Sequence, residues 1–180
     1  ELLTRDTFGS TAVALLQNRA LTAGAWFIEL QFSSVVLAPK QLAVQEFYPH
    51  HSFRVLLDGQ ARDLTEKVAP GVLDKQLQFL DKKQARLLLK QLRSECQQAI
   101  QTAWKPAEQQ QQKAIEQAAD RVNSQLTNEL NRLLKLQQTN PLVRESEITA
   151  VKQRREELLT AFEQPLLQLD SVRIMVNMPA

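Results

Sequence analysis

Few residues in this 180-residue chain stand at the spacings that chemistry requires. Its two histidines, His50 and His51, are adjacent after Pro49, with no cysteine or carboxylate cluster at ligand spacing, so they read as a loop pair. Ser33 and Ser34 have no base within sequence reach and do not read as activated nucleophiles. Glu156 and Glu157 fall on the outer face of a helical segment, where carboxylates are solvated. The four glycines include none ahead of a Lys-Ser or Lys-Thr pair, so there is no phosphate-cradling loop. On these grounds no catalytic, cofactor-binding or metal-binding residue is assigned.

Two constellations remain. Lys82, Arg86, Lys90 and Arg93 fall within an arc of about 80° when a helix advances 100° per residue. Leu77, Leu88, Leu92, Ala99 and Ala103 lie on the other side. Such a stripe suits a phosphate backbone or an acidic protein surface; its bland reading is a solvated face. No aromatic residues interleave it, so stacking on single-stranded nucleic acid has no support. The second constellation is a pair of mirrored heptads about Asn140-Pro141. Ile115, Ala119, Val122, Leu126, Glu129, Leu133 and Leu136 precede the turn, and Ile148, Val151, Arg155, Leu158, Phe162, Leu166 and Leu169 follow it. Steps of three and four keep each set on one stripe. Folding back at the turn sets Glu129 against Arg155, a polar pair that would fix the register of an antiparallel hairpin.

The elements that must position these residues divide by composition. Ser10 reads as the N-cap of a short helix over Thr11 to Gln17. Trp26, Ile28, Leu30 and Phe32 alternate with Phe27, Glu29, Gln31 and Ser33, the pattern of a strand with one buried and one wetter face. Leu42 to Tyr48 and Phe53 to Leu57 read as further strands, with Asp58-Gly59 as a hairpin turn and Leu64 to Val68 as the return. From Val72 to Leu169 glutamine, leucine, alanine and charged residues dominate, all good helix formers. Asp81 with Gln84 opens a helix expected to reach Trp104, and Pro106 should kink or end it. The glutamine run 109–112 reads as a solvated helix face. Val172, Ile174 and Val176 form a last strand returning to the sheet.

The bulk numbers agree with one domain. The chain is 43% hydrophobic and 23% charged, and its net charge of +2 argues by itself for neither nucleic acid nor membrane. The single cysteine, Cys96, rules out an internal disulfide and fits a reducing compartment. No apolar run approaches the ~20 residues of a membrane helix. The chain opens at Glu1 and is expected to be a piece of a longer polypeptide.

Several stretches carry a resemblance. Gly9 to Leu21, Ala38 to Leu42, Phe53 to Gly59, Glu129 to Leu133, Asn140 to Ile148 and Leu169 to Val176 are together similar, in collinear order, to the C-terminal region of the bacterial RapA (HepA) family. The resemblance implies a parent in the SWI/SNF helicase-like superfamily: a DNA-dependent ATPase that binds core RNA polymerase and recycles it after transcription. ATP and magnesium would belong to a motor upstream of this stretch, so no catalytic residue is carried over. Pro106 and the glutamine run depart from the family.

The expected fold is therefore α+β. A mostly antiparallel sheet (residues 1–71 and 171–178) would carry a long, kinked antiparallel helical hairpin (72–170), a coiled-coil-like arm roughly 45 Å long at 1.5 Å per residue, with the last strand returning to the sheet. The expected function is non-catalytic: docking on RNA polymerase or regulation of the motor domains in cis, in the bacterial cytoplasm. The alternatives are direct DNA or RNA contact through the basic stripe, and a purely structural cap.

Overall fold

The computed structural model describes residues 10–140 and 142–178. The described parts of Glu1–Ser33, Ser52–Gln109 and Gln168–Ala180 form one compact unit, and Ser34–His51 with Gln110–Leu167 form a second. Strands β1 (Ser10–Leu16), β2 (Trp26–Val35), β3 (His51–Asp58), β4 (Leu77–Phe79) and β5 (Leu166–Asn177) make one sheet in the order β3-β2-β5-β1-β4. Helices α1 (Lys82–Gln91), α2 (Arg93–Thr139) and α3 (Glu145–Ala161) complete an α+β fold.

The sheet is mixed. β1 pairs parallel with β5 and antiparallel with β4. Gln31 meets Ser52 and Glu29 meets Arg54, so β2 and β3 run in opposite directions. Ala25 and Ser33 of the β2 segment meet Asn177 and Asp170, so β2 and β5 are antiparallel too. The last strand does return, and it lies at the centre of the sheet. The segment Ser10–Leu16, expected as a capped helix, is β1 instead. A cap satisfies one or two helix N–H groups, whereas strand pairing on both edges engages the backbone along the whole segment.

The Trp26 set of β2 is buried or half-buried as expected, but the face expected to be wetter is not wet: Glu29 and Ser33 on it are buried as well. Ile28, Leu30 and Phe32 are fully buried, each contributing about 1.5–3 kcal/mol by leaving water. Phe32 meets the Trp104 ring edge-on at 5.0 Å. On the opposite face Glu29, also buried, bridges Arg54 of β3 and Arg173 of β5. Arg173 reaches on to Asp74 at 2.7 Å, and Arg54 donates to the Val68 carbonyl at 2.7 Å. One carboxylate thus neutralises cations on the strands either side of it, which is what permits its burial. Burial opposes the charge on Arg173, but Glu29 and Asp74 outweigh it and hold its pKa above the ordinary value.

The loop before β2 is fastened to the end of β5 by Asn177, which is wholly buried. Its amide Nδ2 donates to the carbonyls of Asn18 (3.0 Å), Leu21 (2.9 Å) and Thr22 (3.1 Å), and its Oδ1 accepts from the Asn18 N–H at 3.0 Å. Two other expectations fail nearby. Residues 40–46 form two 3-10 turns rather than a strand, because Ala43 between them takes a left-handed φ of 48°. Leu64 to Val68 turns instead of returning as a strand: the Asp58 carboxylate accepts from the N–H groups of Gln60 and Arg62, and the only pairing recorded there is a Leu57–Asp63 bridge. Burial raises the Asp58 pKa, but the hydrogen bonds from Arg62 and Gln60 overcome it and hold the carboxyl below its ordinary value.

The helix expected to run to Trp104 breaks at Leu92, and α2 then runs unbroken through Pro106 to Thr139. Proline deprives one carbonyl, that of Thr102, of its donor. The buried Ala103 and Ala107 flanking it keep that turn packed. In the second unit Ile115, Ala118, Val122, Leu126 and Leu133 of α2 are buried, as are Ile148 and Leu158 of α3 and Phe162 just after it. Gln137 donates to Glu145 at 3.1 Å, and Gln111 donates to the Leu166 carbonyl at 3.1 Å. After the turn the chain therefore runs back antiparallel to α2, from Glu145 beside Gln137 to Leu166, the first residue of β5, beside Gln111. Leu166 and Leu169, expected in the helical seam, belong to β5. Pro141 lies outside the described residues.

Candidate docking surface

The basic constellation sits on α1 and the first residue of α2. Asp81 caps α1 as expected: its carboxylate accepts from the N–H groups of Lys83 (2.9 Å) and Gln84 (2.8 Å), a contribution of about 1 kcal/mol. The helix comes close to β1, and Ala85, Leu88 and Leu89 form its half-buried side, yet it buries no side chain fully. Lys82, Lys83, Arg86, Lys90 and Arg93 are all exposed, and none joins an ion pair within 4.0 Å among the described residues. Arg54, Arg62, Arg154 and Arg173, by contrast, all pair with carboxylates. Lys82, Arg86 and Lys90 share one face of α1; the break at Leu92 puts Arg93 on a separate helix.

One residue of this surface escaped the sequence reading. Leu87 is 63% exposed. On a 100° wheel it lies about 150° from the centre of the half-buried side, between Lys83 and Lys90 on one flank and Gln84 and Gln91 on the other. Read from spacing alone, Leu88 falls on the apolar side and Leu87 is assigned to neither side. Phe79, at the end of the edge strand β4, is equally exposed.

The other constellation is not assembled as expected. Glu129 and Arg155 are both half-buried, but no ion pair within 4.0 Å joins them among the described residues. The Arg155 Nε is buried without a hydrogen-bond partner. The glutamine run is not a uniformly solvated face either. Gln111 is buried and donates to Ser34 Oγ at 2.7 Å, which also accepts from the Tyr48 hydroxyl at 2.8 Å. Burial raises the Tyr48 pKa, and the Ser34 bond lowers it in part.

The second unit also carries a groove of about 700 Å³, lined by Leu37, Pro39, Leu42, Ala161 and Leu166 together with Glu156 and Glu157. Cys96 is buried; burial, with a smaller push from Glu95, raises its thiol pKa to about 11. Among the described residues no three His, Cys, Asp or Glu side chains gather to hold a metal ion, and no helix is long and apolar enough to cross a membrane.

A family model described as "RNA polymerase recycling family C-terminal" matches residues 1–177. The chain belongs to this family. It is 36% identical over 176 residues to the RNA polymerase-associated protein RapA of Stutzerimonas stutzeri, an alignment covering 98% of this chain and 18% of that protein. The Pseudomonas fluorescens (strain Pf-5) and Pasteurella multocida proteins of the same name are each 33% identical, again over 98% of this chain and 18% of theirs. The chain thus spans less than a fifth of the length of these relatives. For a recycling-family C-terminal domain, α1 is the described helix whose outer face carries unpaired charge of one sign.

Proposed function

We propose that this chain is a non-catalytic docking domain, through which a larger RapA-like transcription protein engages RNA polymerase and takes part in its recycling in the bacterial cytoplasm. Two supports meet here. The relatives are named RNA polymerase-associated, and the match falls on the recycling family's C-terminal region. The observation that carries the reading is α1: a helix that buries no side chain while holding out Lys82, Arg86 and Lys90 without carboxylate partners. Unneutralised surface charge of one sign speeds and orients encounter with a surface of the other sign. Any ATP and magnesium chemistry belongs to a motor outside this stretch, and a docked domain could restrain or release that motor in cis.

A second reading has one observation in its favour, the four-residue spacing of Lys82, Arg86 and Lys90, which could follow a phosphate backbone. Salt separates the two. Three phosphate contacts would weaken duplex DNA binding about 40-fold between 50 and 200 mM salt. The test is retention of purified core RNA polymerase, and separately of a duplex oligonucleotide, by this chain at both concentrations. Polymerase retained at both supports docking; no retention at either refutes it.

A further inference from the structure

We infer that the outward face of α1 docks an acidic protein surface through Leu87, with the surrounding cations steering and framing that contact; this rests on the docking reading above. The wheel positions are the argument. The half-buried side of α1 is set by Ala85, Leu88 and Leu89, and Leu87 stands nearly opposite, at 63% exposure. A leucine at the margin of a buried side is ordinary; one at the crest of the outer face is not covered by any packing within the helix's own fold. Lys82, Lys83, Arg86 and Lys90 lie on one flank of it, and α1 itself contains no acidic residue.

Charge complementarity therefore demands an acidic occupant, and Leu87 decides between two acidic classes. A phosphate backbone rewards the cations alone and gives an aliphatic side chain nothing to displace. A protein surface with carboxylates beside an apolar recess rewards both: burying the leucine removes apolar area from water, while the cations on its flank meet carboxylates. A few central, desolvated side chains carry most of the affinity in protein interfaces, and charges at the rim set the association rate.

The experiment measures association and dissociation of the 180-residue chain with immobilised core RNA polymerase, beside a duplex DNA probe, for wild type, Leu87→Asp, Leu87→Ala and the triple reversal Lys82→Glu, Arg86→Glu, Lys90→Glu. Thermal melts control for folding, and these exposed positions should leave them unchanged. The expected result is a loss of about tenfold or more for Leu87→Asp, mostly in dissociation rate, and several-fold for Leu87→Ala. The triple variant should lose at least tenfold, mostly in association rate at low salt. Wild-type binding to polymerase with an unchanged Leu87→Asp variant overturns the inference and leaves docking intact. DNA binding that the triple variant abolishes and Leu87→Asp leaves alone, with no polymerase binding, overturns both in favour of nucleic acid. Absence of any wild-type binding overturns both.

Discussion

Asn177→Asp replaces one NH2 group by an oxygen and changes the volume hardly at all. In the wild type that NH2 faces three carbonyl oxygens at 2.9–3.1 Å, at a site with no exposure. The substitution removes at least two hydrogen bonds, at about 0.5–1.5 kcal/mol each, and leaves carbonyl oxygens opposed by another acceptor. If ionised, the new carboxylate also loses its hydration among oxygens that repel it, so the expected loss is about 3–5 kcal/mol at pH 7. Asn177→Ala, which removes the bonds without adding charge, should cost about 2–3 kcal/mol. The sign with pH follows. Burial among carbonyls raises the folded-state pKa of the introduced Asp above its unfolded value, so its deficit is greatest above the folded pKa. The deficit shrinks as pH falls towards about 4. Urea unfolding of wild type and both variants at pH 7 and pH 4.5 measures this, with amide exchange of Asn18 as the local probe because its N–H donates to Asn177 Oδ1. A deficit for Asn177→Asp under about 1 kcal/mol at pH 7, or one equal at both pH values, would refute the assignment of Asn177 as the fastener of the 18–25 loop.

Three further outcomes follow from the same sheet and helices. Glu29→Ala should destabilise by about 2–4 kcal/mol in urea melts, since buried Arg54 and Arg173 lose the carboxylate they share, Arg173 keeping Asp74 and Arg54 the Val68 carbonyl; the double variant Glu29→Leu/Arg173→Leu should recover part of the loss. Gly59→Ala places a Cβ 2.6 Å from the Trp26 indole Nε1, so the ring must move, and a loss of about 1–3 kcal/mol should accompany an altered tryptophan emission. Cys96, with its pKa raised to about 11, should react with a thiol reagent at pH 8 only at the rate of unfolding or local opening, and become rapidly reactive in urea.

Legibility in the sequence tracked how locally each element is determined. β2 could be read as a strand because its alternation reports two faces, but Glu29 read as facing water, whereas its two arginine partners from β3 and β5 allow it to be buried. The Asp81 cap could be read because it needs only residues two and three positions on. Ser10–Leu16 could not, because its strand state is decided by partners more than sixty residues away in β4 and β5. The 40–46 turns hinge on a left-handed alanine, a conformation the residue type disfavours by about 1 kcal/mol, so tertiary packing had to impose it. Gln111 illustrates the reverse error: a polar run on a helix implies water, yet this one supplies the donor that a buried Ser34 and the Leu166 carbonyl require.

The docking surface shows the same division at the level of function. Its cations were readable, since a helix that repeats lysine or arginine every four residues must gather them on one side whatever it packs against. Leu87 was not, because the difference between a leucine that packs and one that faces out is a rotation of the helix about its axis. That rotation shows in the half-burial of Ala85, Leu88 and Leu89. If it were wrong by 100° in the direction that turns Leu87 inward, Leu87 would take the place of Leu88, and Leu89 would face out. Exchanging the probes then tests the orientation itself: Leu88→Asp should lower the melting temperature markedly, whereas Leu87→Asp should leave it where it is. Equal destabilisation by the two would mean that α1 is seated otherwise, and that its cations do not frame an apolar anchor.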